Sequence, residues 1–378
     1  MGRLVKIILL GFVLILTGFF IVYEIYFDVQ KIESIKVSSK TEEKLNKLSL
    51  EQKIGQLFVI GFDGKSLNSD IENLVKELHP GGILLLKRNI EDENQLKELI
   101  VSLQEIALKD TGLPLFIAVD QEGGLISRIE WIEKTSQFEI KDNIHAYQVG
   151  KDRGTELREL GINLNLAPLL DISFSNDFIF ERSFQKNHEI IGELAKSLIQ
   201  GQKEAGMFTA VKHFPGYGGI SFNPEEKLAR LENIPEVSQF QKAAEAFPEM
   251  IMASNVIYKG LYEEYPFSFS KEGIGFLKSN VQGDYLIISD DLSQNSLLNK
   301  FSLKEIVTLP IKAGIDILIF SGWRMPVVNG VSALREAIES GDISEQRIDR
   351  SVLKIIKLKQ QISIQCVGLN AKNLLNCF

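Results

Sequence analysis

Eight short apolar runs recur between residues 57 and 321, most of them ending in a polar or charged residue. They are Leu57–Gly61, Gly82–Leu86, Leu115–Asp120, Ile162–Pro168, Phe208–His213, Met250–Asn255, Leu286–Asp290 and Ile315–Ser321. The chain between successive runs is long enough for a helix. Near-continuous apolar runs, without alternation, fit strands covered on both faces, as parallel strands are. Eight strand-then-helix units predict an α/β fold, a (β/α)8 TIM barrel, whose functional residues lie at the strand C-terminal ends. That rule singles out Asp120, Lys212, His213, Asn255 and Asp290 as a candidate pocket. A doubly wound open sheet is the structural alternative. For a nucleotide role it would need a phosphate-binding glycine fingerprint after its first strand, and Gly61-Phe62-Asp63-Gly64 is not one.

The N-terminus is of another kind. Ile7 to Tyr23 carries no charge, with Arg3 and Lys6 before it and Glu24 and Asp28 after it. About 20 apolar residues cross a hydrocarbon core of about 30 Å, and basic residues stay on the cytoplasmic side. No small-x-small cleavage pattern follows the run, which favours an uncleaved anchor over a removed signal peptide. The expected organisation is therefore a transmembrane helix in 1–27, a polar tether in 28–48, a barrel in 49–362 and a tail in 363–378. The protein would be single-pass in the cell membrane, with the barrel extracytoplasmic. Ser49, followed by Glu51 and Gln52, marks a helix start. Helical spacing is expected over 91–109, 147–160, 186–205 and 344–362, the last with Ile348, Val352, Ile355 and Ile356 on one face. The net charge of −8 argues against a nucleic-acid partner. Both cysteines, Cys366 and Cys377, lie in the tail, where a disulfide and two free thiols are both open readings. No His/Cys cluster suggests zinc, and no cofactor is implied.

Three segments carry candidate chemistry. Asp120-Gln121-Glu122-Gly123-Gly124 ends strand three. Its carboxylate can accept two sugar hydroxyls, and Arg128 lies eight residues on. The alternative is a turn with solvated charges. Ser289-Asp290-Asp291-Leu292-Ser293 ends strand seven; the order suggests Asp290 for chemistry and Asp291 for capping the next helix, and the alternative is that both are caps. Lys212-His213-Phe214-Pro215-Gly216-Tyr217-Gly218 ends strand five and can donate hydrogen bonds to ligand oxygens. It leads to Asn223-Pro224-Glu225-Glu226, which reads both as a mobile acid-bearing flap and as a plain helix start.

These motifs, with Gly55-Gln56-Leu57, His79-Pro80-Gly81-Gly82, Gly161-Ile162-Asn163, Ala167-Pro168-Leu169-Leu170-Asp171-Ile172 and Arg182-Ser183-Phe184, resemble glycoside hydrolase family 3 from about residue 50 to 360. Within it they are most similar to the single-domain bacterial β-N-acetylhexosaminidases. The resemblance implies a retaining glycosidase that removes terminal β-linked N-acetylhexosamine, N-acetylglucosamine foremost, from cell-wall or other glycans such as peptidoglycan fragments. Asp290 would be the nucleophile, and Asp120, Arg128, Arg182, Lys212 and His213 would hold the sugar. In such relatives the Lys-His-Phe-Pro-Gly motif continues His-Gly and reaches an Asp-Ser-His run, whose His is the acid/base. Here Tyr217 replaces the first His, and Asn223-Pro224-Glu225 stands in place of Asp-Ser-His. Three readings follow: Glu225 is the acid/base, Glu226 is, or the chain binds glycan without hydrolysing it well. A family 3 β-glucosidase or phosphorylase is a further alternative.

Overall fold

The computed structural model describes residues 39 to 322 and 325 to 364. The chain divides into two units, residues 1–47 and 48–378. In the first, residues 39 to 47 are helical, where the sequence reading expected a polar tether. Lys40, Glu42, Glu43, Lys44 and Lys47 are all good helix formers, and Glu43 meets Lys47 one turn later at 2.7 Å. The expected membrane segment and both cysteines lie outside the described residues. Among the described residues, no helix is long and apolar enough to cross a membrane.

The second unit is the expected barrel. Its strands are β1 (Phe58–Ile60), β2 (Gly82–Leu85), β3 (Phe116–Val119), β4 (Leu164–Asn165), β5 (Phe208–Phe214), β6 (Met250–Ala253), β7 (Leu286–Asp291) and β8 (Ile317–Phe320). Each pairs in parallel with its sequence neighbours, and β8 closes on β1 in the register Phe58–Leu318 to Ile60–Phe320. A helix follows every strand: Ser69–Leu78, Glu93–Thr111, Asn143–Glu159, His188–Glu204, Ser238–Ala244, Lys271–Asn280, Leu303–Ala313 and Met325–Glu339. Ser49 caps the entry helix Leu50–Gln56 through a reciprocal box with Gln52.

Alternate strand residues fill the interior: Val59, Leu84, Phe116 and Ala118, Leu164, Phe208 and Ala210, Met250 and Met252, Leu286 and Ile288, Ile317 and Ile319. Small Ala118 and Ala210 accompany bulky Phe116 and Phe208 on the same strands, so the layers can interlock. The intervening residues, such as Phe58, Ile83, Ile117 and Ile287, are buried outside the barrel wall. Burial on both faces is why the runs look continuous in the sequence. The last helix, Glu345–Ile364, adds Ile355, Leu358 and Ile362 to the interior cluster. It runs two residues past the expected domain end. On the flank, Gly150 and Gly201 let two helices touch backbone to backbone. A Cβ on Gly150 would lie 2.1 Å from the Leu198 carbonyl, and one on Gly201 2.1 Å from that of Tyr147.

Candidate active site

The polar floor of the barrel mouth begins where β3 ends. Asp120 Oδ1 accepts from Lys212 Nζ at 2.6 Å, and Arg128 approaches Asp120 Oδ2 at 3.5 Å. Glu122 is fully buried. It takes the forked guanidinium of Arg182 at 2.7 and 3.0 Å and also the Lys212 ammonium at 2.6 Å. Burial alone would raise Asp120 and Glu122, but Lys212 with Arg128, and Arg182 with Lys212, outweigh it. Both carboxyls are therefore held below their usual range. Lys212 is correspondingly raised, burial being overcome by Asp120 and Glu122. The result is a fixed, fully ionised lattice of donors and acceptors.

Buried Arg153, from helix Asn143–Glu159, holds this segment in place. It pairs with Glu133 at 2.6 Å and donates to the carbonyls of Glu122 at 2.7 Å and Thr135 at 2.8 Å. Gly123 has φ +92°, and a Cβ there would lie 2.0 Å from the Thr135 carbonyl, so the turn requires glycine.

On the other side of the mouth, His213 Nδ1 lies 3.0 Å from Asp171 Oδ2. Buried Asp171 also accepts the backbone N–H groups of His213 at 3.2 Å and Tyr217 at 2.5 Å. A carboxylate so engaged makes Nδ1 the donor and turns the ring's other nitrogen away from it. Tyr217 packs edge-on against His213, with ring centroids 4.8 Å apart. Its hydroxyl accepts the Asn255 N–H at 3.0 Å and donates to Asp290 Oδ2 at 2.5 Å. Burial, then the Asp290 charge, push the Tyr217 hydroxyl well above its ordinary value, so it remains a donor. Asp290 Oδ1 accepts the Asp291 N–H at 2.7 Å. Both Asp290 oxygens are thus oriented, and the half-buried residue faces the cavity.

Glu225 lies at the lip. As a residue it is exposed, yet it lines the cavity. Burial at that wall comes first, and the charges of Asp290 and Asp291 second, in pushing its carboxyl above the usual range. Its backbone is fixed by the Asn223 side chain at 3.0 Å and by the Ser296 N–H at 2.8 Å. Glu226 points elsewhere, to Asn295 at 3.0 Å, and does not line the cavity.

Seven of the residues expected at the site line one cavity of about 220 Å³: Asp120, Arg128, Arg182, Lys212, His213, Glu225 and Asp290. Asn255 is displaced one layer beneath it, where its side chain bridges the Asp291 carbonyl, Gln294 and Ser268. Two local expectations are corrected. Residues 223–227 form a turn and no helix. Asp291 caps no helix: it ties Ser293 to the N–H of Ser321 at 3.0 Å and so laces β7 to the end of β8. The sequence reading missed Glu122, Asp171 and Tyr217 as site residues and Arg153 as the support of the Glu122 segment. A larger cavity, about 310 Å³, opens beside Glu249 and Leu286 at the strand N-terminal ends. It lies at the end of the barrel where functional sites are not built, and its Lys203 and Lys357 are already paired with Glu249 and Asp284.

Fold and cavity together define a (β/α)8 barrel of the glycosidase type, with the Asp290 and Glu225 carboxyls among the five that line one charged sugar-sized pocket. Residues 49–358 match the model of the glycosyl hydrolase family 3 N-terminal domain. The chain belongs to that family. It is 29% identical over 336 residues to β-hexosaminidase LpqI of Mycobacterium tuberculosis, covering 82% of this chain and 83% of the relative. It is 30% identical over 316 residues to a β-hexosaminidase of Idiomarina loihiensis, covering 78% of this chain and 92% of the relative. Among solved structures, a family 3 β-N-acetylglucosaminidase from Paenibacillus sp. superposes with a TM-score of 0.81 at 31% identity. That match covers 85% of this chain and 64% of the Paenibacillus chain, so this chain spans less than two thirds of that protein.

Proposed function

We propose that the protein is a retaining β-N-acetylhexosaminidase that releases terminal β-linked N-acetylhexosamine, N-acetylglucosamine foremost, from glycans. One observation carries the reading. Asp290 is held by two hydrogen bonds at the mouth of a barrel, facing the same cavity as a carboxyl with raised proton affinity. That is the division of labour a retaining glycosidase needs. The set Asp120, Arg128, Arg182, Lys212 and His213 holds the terminal sugar's hydroxyls. Asp290 attacks the anomeric carbon while Glu225 gives its proton to the departing glycosidic oxygen. Water, deprotonated by Glu225, then cleaves the glycosyl-Asp290 ester, restoring both carboxyls. The relatives' names support the sugar, and the placement of Glu225 supports catalysis over mere glycan binding. An anionic phosphate acceptor would have to approach the carboxylate that Glu225 becomes on giving up its proton, which favours water and hence hydrolysis over phosphorolysis.

The test is a purified protein lacking residues 1 to 30, assayed on aryl β-N-acetylglucosaminide and aryl β-glucoside, with the first-formed anomer read by NMR. The reading expects β product and a preference for the acetamido sugar. Preference for the glucoside would reassign the substrate, and inactivity on both would leave a glycan-binding protein. We also place the barrel outside the cytoplasm, anchored by residues 1–27. The support is the uncharged run Ile7 to Tyr23 with basic residues before it. Full-length protein should resist alkaline carbonate extraction from membranes, whereas protein without residues 1–30 should not. Release of both would remove the anchor.

A further inference from the structure

One reading of the loop after β5 is a mobile flap, but the loop is tied to its neighbours at three points. At its start, the Phe178 N–H donates to the Ile220 carbonyl at 2.8 Å, and the Gly219 N–H to Asp177 at 2.9 Å. Asp177 and Phe178 belong to the loop after β4. At its exit, Arg230–Leu231 pairs in parallel with Ile257–Tyr258, from the loop after β6. In between, the turn at 223–227 rests on the loop after β7. There the Ser296 N–H donates to the Glu225 carbonyl at 2.8 Å, and the Asn295 amide to Glu226 Oε2 at 3.0 Å. The segment that reaches the turn starts at the nucleophile: Asn295 stands five residues after Asp290 and opens the short helix Asn295–Leu298. Its root is pinned from beneath, where Asn255 donates to the Asp291 carbonyl at 3.0 Å and to buried Gln294 at 3.3 Å. One stretch of chain thus carries Asp290 at one end and holds Glu225's turn at the other.

We propose that Asn295 is a positioning residue for the reaction: it acts through Glu226 to hold Glu225 at a set distance from Asp290. The inference rests on the proposed function, in which those two carboxyls are acid and nucleophile. A retaining glycosidase needs its carboxyls about 5–5.5 Å apart, and a displacement of about 1 Å can cost about 10²-fold in rate. Glu226 is exposed and does not line the cavity, so its carboxylate meets no sugar there. It is instead the acceptor of a charge-assisted bond from the segment that carries Asp290. The turn passes that restraint on to Glu225. The N–H groups of Glu226 and Lys227 both close on the Asn223 carbonyl, at 3.3 and 3.2 Å, and the Glu225 N–H closes on the Asn223 side chain at 3.0 Å. A push on Glu226 therefore moves Glu225 with it.

The test uses the full chain and two substrates that share the terminal sugar. 2,4-Dinitrophenyl β-N-acetylglucosaminide loses its leaving group without a proton, whereas the β-1,4-linked disaccharide of N-acetylglucosamine needs one. Asn295→Asp sets a second carboxylate against Glu226. It should lower kcat/KM for the disaccharide about 10- to 100-fold and leave that for the dinitrophenyl substrate unchanged, which also shows that the variant is folded. Adding Glu226→Gln reverses the bond, because the introduced amide can donate to the introduced carboxylate, and should restore the disaccharide rate. Glu226→Gln alone keeps an oxygen for Asn295 to donate to, and should be neutral. Equal loss on both substrates, no loss on either, or a loss that the second substitution does not restore would overturn the assignment. Wild-type protein inert to both substrates would overturn the functional reading, and this inference with it.

Discussion

Glu225 and Glu226 are neighbours with the same side chain, and their surroundings give them different chemistry. The turn at 223–227 sends Glu225 to the cavity and Glu226 to Asn295. The raised carboxyl of Glu225 favours its protonated form in the folded state. Stability from that form is present at low pH and is lost as pH rises through the raised folded pKa, so the ionised residue costs stability near neutrality. Glu225→Gln should therefore keep or raise Tm while lowering turnover of an unactivated glycoside by about 10²- to 10⁴-fold. It should also erase the alkaline limb of the pH–rate profile, where the acid form is consumed. Glu226→Gln should leave rate and profile unchanged. Tyr217 is a positioning residue: it donates to Asp290 through a hydroxyl whose own lone pair is occupied by Asn255. Tyr217→Phe keeps the ring against His213 and removes one charge-assisted bond, worth about 1.5–3 kcal/mol. It should reduce the rate of glycosyl-enzyme formation roughly 10- to 100-fold, with KM little changed in stopped-flow and steady-state measurements.

At the scale of elements, the sequence showed where the strands run and which residue leaves each one. A strand covered on both sides must be apolar along its length, and a charge at its end stands out. Asp120, Lys212, His213, Glu225 and Asp290 were legible for that reason or by resemblance. The partners were not, because they meet only in the closed barrel. Arg182 finds Glu122 across 60 positions, Tyr217 finds Asp290 across 73, and His213 finds Asp171 across 42. Asn255 follows the same end-of-strand rule as Asp290, but it sits beneath the cavity because Tyr217 and Gln294 cover it. The turn at 223–227 has a helix-start sequence and makes one turn only. The backbones of helices Asn143–Glu159 and His188–Glu204 nearly touch at Gly150 and Gly201, and the first of these helices carries Arg153. Gly201→Ala should force the pair apart and cost about 1–3 kcal/mol in urea unfolding. An unchanged midpoint would show that the contact is slack.

For the whole molecule, the ionic floor joins function to stability. Asp120 and Glu122 have folded values held below those of the unfolded chain. Their contribution is present above the unfolded carboxylate range of about 4 and is lost as pH falls through the lowered values. Thermal stability should fall steeply below about pH 4. Glu122→Ala should remove much of that acid sensitivity while destabilising the neutral protein by about 3–5 kcal/mol, since Arg182 and Lys212 lose a buried partner. A parallel pH profile in the variant would contradict the role of the floor.

The account depends most on the carboxylate of Asp290 becoming covalently linked to the sugar. Incubation with an activated 2-fluoro glycoside, followed by peptide mass spectrometry, tests that directly. The prediction is a single glycosyl adduct on the peptide containing Leu286–Ser293, assigned to Asp290 and absent from Asp290→Ala. An adduct on any other residue, or none from protein that turns over the parent glycoside, would contradict it.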